Sequence, residues 1–319
     1  MSNALMKAVR VHEYGGPNVL QIEKVERPHP VAGEVLVRIV YAAVIPLDWR
    51  IRKGLMKQIN PVTFPYTPGI AASGIVESVG AGVTEFRAGD RVFGALNGAY
   101  AEYGIVAIQN KANPNRFLAH MSENMTFESA AAIWGGVDTA WKALFSEGEL
   151  EAGQTVLIHA AAGGVGQFAV QLAKWRGATV IGTASTANLD FVKSLGADQV
   201  IDYTATPFEK TVNNVDLVVD CVGGDTQSRS WSVLKRGGIL VALAGPPSLE
   251  KAKEYGVTAK FNTKIPTYEN RLTIAQFIAE GTIKPAIDHI YPLGEVNRAH
   301  EKSEARHGRG RILLSVNSI

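Results

Sequence analysis

The chain of 319 residues carries a single cysteine, Cys221. One thiol closes no internal disulfide and builds no cysteine-rich zinc site. That usage fits a reducing compartment, or a fold that needs no staples. No apolar run reaches the roughly 18 residues that would mark a membrane span. Met1–Arg10 lacks a charged segment followed by an apolar one, so no secretory signal is read there and the cytoplasm is the expected location. Net charge is scarce too: 32 Lys and Arg against 30 Asp and Glu leave +2. With both signs interspersed, that balance argues against a nucleic-acid partner. No internal repeat or low-complexity segment is visible.

What is present reads as a globular enzyme. Apolar residues make up 46% and charged residues 19%, and the length allows two domains, each with its own core. The first part reads as β-rich, with short apolar runs such as Glu34–Val40 bounded by Pro and Gly turns. Gly69, Gly74, Gly80, Gly82, Gly89 and Gly94 punctuate one stretch, where tight turns and close backbone approach are expected. The pattern changes near Glu128. Strands are expected at Gln154–Ala160, Thr179–Thr183, Val200–Ile201, Val215–Asp220 and Gly238–Leu243, with helices between them. Such alternation implies a parallel sheet covered on both faces. From about Arg271 a helix, the segment Ala286–Tyr291 and a final strand Arg311–Val316 follow.

The strongest local signal is Ala160-Ala161-Ala162-Gly163-Gly164-Val165-Gly166, directly after a strand and opening a helix over Gln167–Trp175. A helix N-terminus offers free N–H groups and a positive dipole end, which suit a pyrophosphate. Glycine lets the backbone approach that anion. Ala161 stands where the first glycine of a GxGxxG loop would be. The next strand begins about 24 residues after the first, as one βαβ unit requires. NAD-binding units usually end that second strand in an acid that holds the ribose 2′-OH. Here the end reads Gly182-Thr183-Ala184-Ser185. NADPH is therefore expected in preference to NADH.

Several motifs in order carry a resemblance. They are Gly33–Arg38, Pro46–Gly54, Gly89–Gly94, Ala161–Gly166, Gly182–Ser185, Ser194–Tyr203, Ala299-His300 and Gly310–Leu314. Together they resemble the zinc-free, zeta-crystallin-like quinone oxidoreductase branch of the medium-chain dehydrogenase/reductase superfamily, over almost the whole chain. The resemblance implies an α/β fold: a GroES-like β-rich catalytic domain over residues 1–127, a doubly wound Rossmann domain over 128–270, and a C-terminal segment over 271–319 returning to the first. It implies a homodimer and a small electron-poor substrate. In zinc-dependent relatives three ligands fall at positions held here by Ile45, Ile70 and approximately Gly135, with Ala71 in place of a neighbouring acid. None ligates zinc, so no metal is expected.

The same resemblance places Ile45, Thr139, Ala162, Gly163, Gly164, Val165, Gly166, Thr183 and Val222 around the dinucleotide. It places Ser185, Tyr203 and Arg306 at the 2′-phosphate, with Leu189 where a lysine is frequent. His159 reads as a packed core histidine and Cys221 as a buried, inert thiol. Asp48, Arg50 and Tyr66 are the candidate catalytic residues; Asp48 also reads as a structural partner of Arg52. Without a metal, hydride transfer needs an acceptor that is already electron-poor, such as a quinone or an α,β-unsaturated carbonyl. An enoyl-thioester reductase and a low-turnover NADPH-binding protein are the alternatives.

Overall fold

The computed structural model describes residues 4–108, 117–264, 266–306 and 308–318, without the side chain of Tyr268. The chain divides into two compact units. One comprises Met1–Gly135 and Ile287–Ile319; the other comprises Gly136–Ala286.

In the first unit β1 (Leu5–Arg10) pairs antiparallel with β2 (Gln21–Glu26). The long strand β3 (Glu34–Val44) follows, then helix α1 (Pro46–Arg52), β4 (Ala71–Val79), β5 (Arg91–Ala95), β6 (Tyr103–Ala107), β7 (Leu118–His120) and helix α2 (Phe127–Ala131). The second unit begins with α3 (Val137–Trp141) and a π-helical turn over Lys142–Glu147. It then runs β8 (Thr155–Ile158), α4 (Gly166–Trp175), β9 (Thr179–Ala184), α5 (Leu189–Ser194), β10 (Gln199–Asp202), β11 (Val215–Asp220), α6 (Gly224–Ser230), β12 (Leu234–Ala242), α7 (Leu249–Tyr255), β13 (Thr258–Phe261) and α8 (Tyr268–Ala279). The chain re-enters the first unit through β14 (Ile287–Pro292), α9 (Val296–Ala305) and β15 (Arg311–Ser315).

The first unit is built on a mixed sheet of seven strands. Six lie in the order β14-β15-β3-β4-β5-β7, and β6 also pairs with β3. The apolar run of β3 places Val35, Val37, Ile39, Ala42 and Val44 in one core with Val9, Ala72, Val92, Tyr100 and Leu314. Full burial of one such aliphatic side chain contributes about 1.5–3 kcal/mol. The returning strand β15 pairs with the C-terminal half of β3, Ile312 opposite Val44 and Ser315 opposite Tyr41.

The second unit holds six parallel strands in the order β10-β9-β8-β11-β12-β13. Numbered from β8, this is 3-2-1-4-5-6, the Rossmann order. Parallel strands buried on both faces need continuous apolar runs, and Val156, Leu157, Ile158, Val218, Val219, Leu240 and Val241 are all fully buried. Along α4 Phe168, Ala169, Val170, Leu172 and Ala173 are buried, whereas Val165 just before the helix is only partly so.

Several boundaries differ from the sequence reading. The units divide at 135/136 and 286/287, not at 127/128 and 270/271. Helix α8 accounts for most of the second difference: it packs in the nucleotide-binding unit, with Ile274 and Ile278 buried. β12 starts at Leu234, before its Gly pair, and β13 is a strand that no apolar run announced. No helix among the described residues is long and apolar enough to cross a membrane.

Candidate active site

In the Rossmann unit β8 and β11 are neighbours at the point where strand order reverses, and the loops leaving their C-terminal ends flank that point. Ligands of doubly wound sheets bind there. After β8 the chain turns at Ala160, a non-glycine residue at φ 51°. The Gly163 amide donates to the Ala160 carbonyl (2.9 Å), and the Ala161 amide to the Thr183 carbonyl on β9 (2.9 Å). Gly166 opens α4 against this turn. A Cβ there would lie 2.2 Å from the Ala160 oxygen and 2.7 Å from the Ala161 Cα, so no other residue fits. In the first turn of α4 the Gln167 amide already donates to the Gly163 carbonyl (3.1 Å) and the Phe168 amide to the Val165 carbonyl (3.0 Å), so an anion at this helix end would draw on the amides just before them. The loop Ala162–Gly166 therefore fits a dinucleotide pyrophosphate.

A buried network holds the turn from behind. His159 Nε2 lies 2.9 Å from Ser230 Oγ, and Ser230 spends its own proton on the Thr226 carbonyl (2.7 Å). The imidazole must therefore carry its proton on Nε2. Nδ1 then accepts from the Thr183 hydroxyl (3.2 Å), and the Ala160 amide donates to that same Thr183 oxygen (3.3 Å). Burial pushes His159 down to about 4, so it is neutral at pH 7. It is a packed histidine, as its place in the strand implied. The hydroxyl of Thr183 is committed to this network.

After β11 the buried carboxylate of Asp220 accepts from the amides of Val222 (3.0 Å) and Gly223 (2.8 Å) and from Gln227 Nε2 (2.9 Å). It fixes the loop that presents Val222, which is 42% exposed. Cys221 is partly exposed as a residue, yet its thiol is pushed up to about 12, first by burial and then by Asp220. It is not a nucleophile at neutral pH.

The C-terminal ends of β9 and β10 bring Ser185 and Tyr203 together. The Tyr203 amide donates to the Ala184 carbonyl (3.1 Å), and its ring is 53% exposed. Ser185 Oγ accepts from Asn188 Nδ2 (3.1 Å). Thr139, on α3, accepts at its carbonyl from Asn262 Nδ2 (3.2 Å).

In the first unit the candidates gather around the start of α1. Ile45 is the N-cap and Pro46 sits at the first helical position, where a missing N–H costs nothing. Asp48 is buried, and its Oδ2 accepts from the Ile45 amide (2.9 Å) and from the Tyr100 hydroxyl (2.8 Å). Burial raises its carboxyl to about 6, against the opposing pull of these two donors and of Arg311. The expected Asp48–Arg52 pair is not formed. Arg52, fully buried, is paired with Glu304 on α9, which also takes Lys53 Nζ (2.9 Å). Tyr100 escaped the sequence reading because it lies 52 residues from its partner. Its ring requires Gly69: at φ 91° a Cβ would come within 2.3 Å of it.

Tyr66 forms a two-way backbone bridge with Val11, and its hydroxyl is buried without a hydrogen-bond partner among the described residues. Burial, then the nearby Asp48 charge, pushes this phenol upward, so it stays protonated. Arg50 and Arg306 both approach the Trp49 indole, with guanidinium carbons 5.5 and 5.7 Å from the ring centroid. Burial and then the Arg306 charge lower Arg50. Arg306 ends α9 in the left-handed conformation, at φ 54°. His300 on the same helix is buried, with neither ring nitrogen hydrogen-bonded among the described residues, and is pushed down to about 3 by burial and by Arg52.

The residues at the zinc-ligand positions do not fit a metal. Ile45 packs its side chain onto Gly135, whose added Cβ would touch Ile45 Cδ1 and Cγ2 at 3.3 Å. Gly135 takes φ 71°, a conformation that disfavours a ligating side chain. Ile70 supplies only a main-chain acceptor, to the Leu96 amide (2.7 Å). Among the described residues no group of three or more His, Cys, Asp or Glu is arranged to hold an ion.

Comparison with known proteins agrees with both units. Residues 31–115 match the alcohol dehydrogenase GroES-like domain, and residues 195–314 match the family described as zinc-binding dehydrogenase. The quinone oxidoreductase of Mus musculus is 33% identical, covering 96% of this chain and 96% of its own. The solved quinone oxidoreductase of Coxiella burnetii is 31% identical with a TM-score of 0.87, covering 98% of this chain and all of its own (100%). A mycobacterial protein solved in complex with NADPH is 30% identical with a TM-score of 0.85, over 97% of this chain and 99% of its own. With a Rossmann unit, a GroES-like unit and full-length similarity in hand, the chain is an oxidoreductase that belongs to the quinone oxidoreductase branch of the medium-chain dehydrogenase/reductase superfamily.

Proposed function

We propose that this protein reduces quinones or α,β-unsaturated carbonyls with NADPH and without a metal. The observation that carries the reading is the packing of Ile45 onto Gly135, which fills with hydrocarbon a place where zinc-dependent relatives keep ligands. A fixed Lewis acid would have to be held by residues that cannot hold one. The acceptor must then bring its own electron deficiency, as a quinone or an enone does. The NADPH complex of the mycobacterial relative supports the choice of dinucleotide.

The dinucleotide, when bound, supplies a hydride at its nicotinamide ring. The chain's own residues do the rest. The amides of Gly164, Val165 and Gly166, with Ala162 and Gly163 shaping the turn, hold the pyrophosphate. His159 and Thr183 keep their turn in place. Ser185, Tyr203 and Arg306 hold the 2′-phosphate, and Ile45, Thr139 and Val222 line the cofactor. Asp48 pins the Ile45 amide. Tyr66 and Arg50 are proposed as the groups that steady the anion formed on the acceptor, Tyr66 through its hydroxyl and Arg50 through its charge. A solvent proton completes the product. A homodimer joined along the exposed edge of β13, and a cytoplasmic location, complete the proposal.

The test is oxidation of NADPH and NADH against a panel of quinones, enones and enoyl thioesters, with and without chelator. Turnover of quinones or enones that survives chelation is the expected result. Activity lost on chelation would sink the metal-free reading. Tight NADPH binding without turnover of any acceptor would sink the reductase reading.

A further inference from the structure

The end of β9 has no acid, which is why the sequence pointed to a 2′-phosphate. The fold nevertheless brings a carboxylate to that edge from the neighbouring strand. Asp202, the last residue of β10, stands opposite Ala184, the last residue of β9. The Thr186 hydroxyl, just past β9, donates to its Oδ2 (2.5 Å). The amide and hydroxyl of Thr204 donate to its Oδ1 (2.9 and 2.6 Å). The residue after Asp202 is Tyr203, and the residue before Thr186 is Ser185, the two groups assigned above to the 2′-phosphate.

We propose that Asp202 is a cofactor-specificity residue, whose carboxylate weakens the chain's preference for the phosphorylated dinucleotide. This rests on the reading that Ser185 and Tyr203 receive the adenosine 2′ edge. Donors from Thr186 and Thr204 hold the Asp202 carboxyl below its usual range, so it is ionised at neutral pH. Its donors, Thr186 and Thr204, are neutral, so no cation among the described residues cancels its charge. A carboxylate at this edge accepts from a ribose 2′-OH and repels a 2′-phosphate. In Rossmann units that acid usually ends the second strand; here the third strand supplies it. The carboxylate is pinned by hydroxyls on both sides, so it occupies a defined place rather than sweeping through solvent.

The test is calorimetric binding of adenosine 2′,5′-bisphosphate and of 5′-AMP to the full chain and to D202N. The asparagine keeps an oxygen for the Thr204 amide, loses the charge, and presents an NH2 to which the Thr186 hydroxyl can turn as acceptor. Expected is a shift of the affinity ratio toward the bisphosphate by roughly three- to tenfold at low salt, the scale of one solvent-screened charge interaction, narrowing as salt is added. D202S, which also keeps an acceptor oxygen, gives the same shift should D202N fold poorly. A ratio unchanged in both folded variants overturns the proposal. A parent chain that binds 5′-AMP better than the bisphosphate, with the ratio still shifting in D202N, refutes the NADPH reading and upholds Asp202.

Discussion

Replacing Tyr100 by Phe removes one oxygen and one donor from a fully buried site, and its effect should depend on pH. Asp48 Oδ2 has two donors, the Tyr100 hydroxyl at 2.8 Å and the Ile45 amide at 2.9 Å. Its carboxyl titrates near 6 in the fold and near 4 when unfolded. A folded value raised in this way means that the native state binds the proton more tightly. The contribution of Asp48 to stability is therefore full below about pH 4 and is lost as pH rises through about 6. At pH 8 the variant loses a hydrogen bond to a charge, about 2 kcal/mol; at pH 5 it loses one to a neutral carboxyl, about 1 kcal/mol. The difference of about 1 kcal/mol raises the Asp48 carboxyl by somewhat under one unit. Urea unfolding of parent and Y100F, followed in parallel by tryptophan fluorescence at the two pH values, measures it. Equal destabilisation at both, or a larger loss at pH 5, would refute the assignment of Tyr100 as the donor to an ionised Asp48. In an Asp48→Asn background the pH dependence of the Tyr100→Phe effect should vanish.

Three further outcomes follow from the same geometry. Gly69→Ala should cost about 3 kcal/mol or more, since its Cβ would strike the Tyr100 ring at φ 91°; a thermal melt within a degree of the parent would contradict the packing. Gly166→Ala should weaken NADPH binding at least tenfold by displacing Ala160 and Ala161, read by the fluorescence of the bound reduced nicotinamide. Burial holds His159 at about 4, below its unfolded value of about 6.5, so its share of stability is intact above the higher value and lost as pH falls through the lower. That share is about 3 kcal/mol, and unfolding of H159N between pH 7 and 4 should show a correspondingly shallower acid limb.

The elements that local pattern determines were the ones the sequence revealed. The Gly163–Gly166 loop is legible because strand, turn and helix are consecutive, and each shows its own period. β11 is legible from Val215 to Asp220 because a strand buried on both faces is a plain apolar run. β13 was not, since Thr-Ala-Lys-Phe at a sheet edge needs no such run. The start of β12, Leu234-Lys235-Arg236-Gly237-Gly238, reads as a turn and becomes a strand only through its neighbours. The site behaved likewise. Asp48 was visible within its motif, but its donor Tyr100 came from a distant loop, and Arg52 turned to Glu304 on the returning helix. Asp202 was in plain sight too; only strand pairing shows that it ends beside Ala184.

The contact of Ile45 with Gly135 also bears on history. On the metal-free reading proposed above, a chain with this site would acquire a metal only by changing Ile45, Ile70 and Gly135 together, because one or two ligands bind zinc weakly. Each single step is uphill before any ion can repay it. A polar group at Ile45 would enter a hydrocarbon contact, and a side chain at Gly135 would adopt φ 71° against its neighbour. On that reading, one isoleucine methyl resting on one glycine acts as a ratchet against acquiring a zinc site.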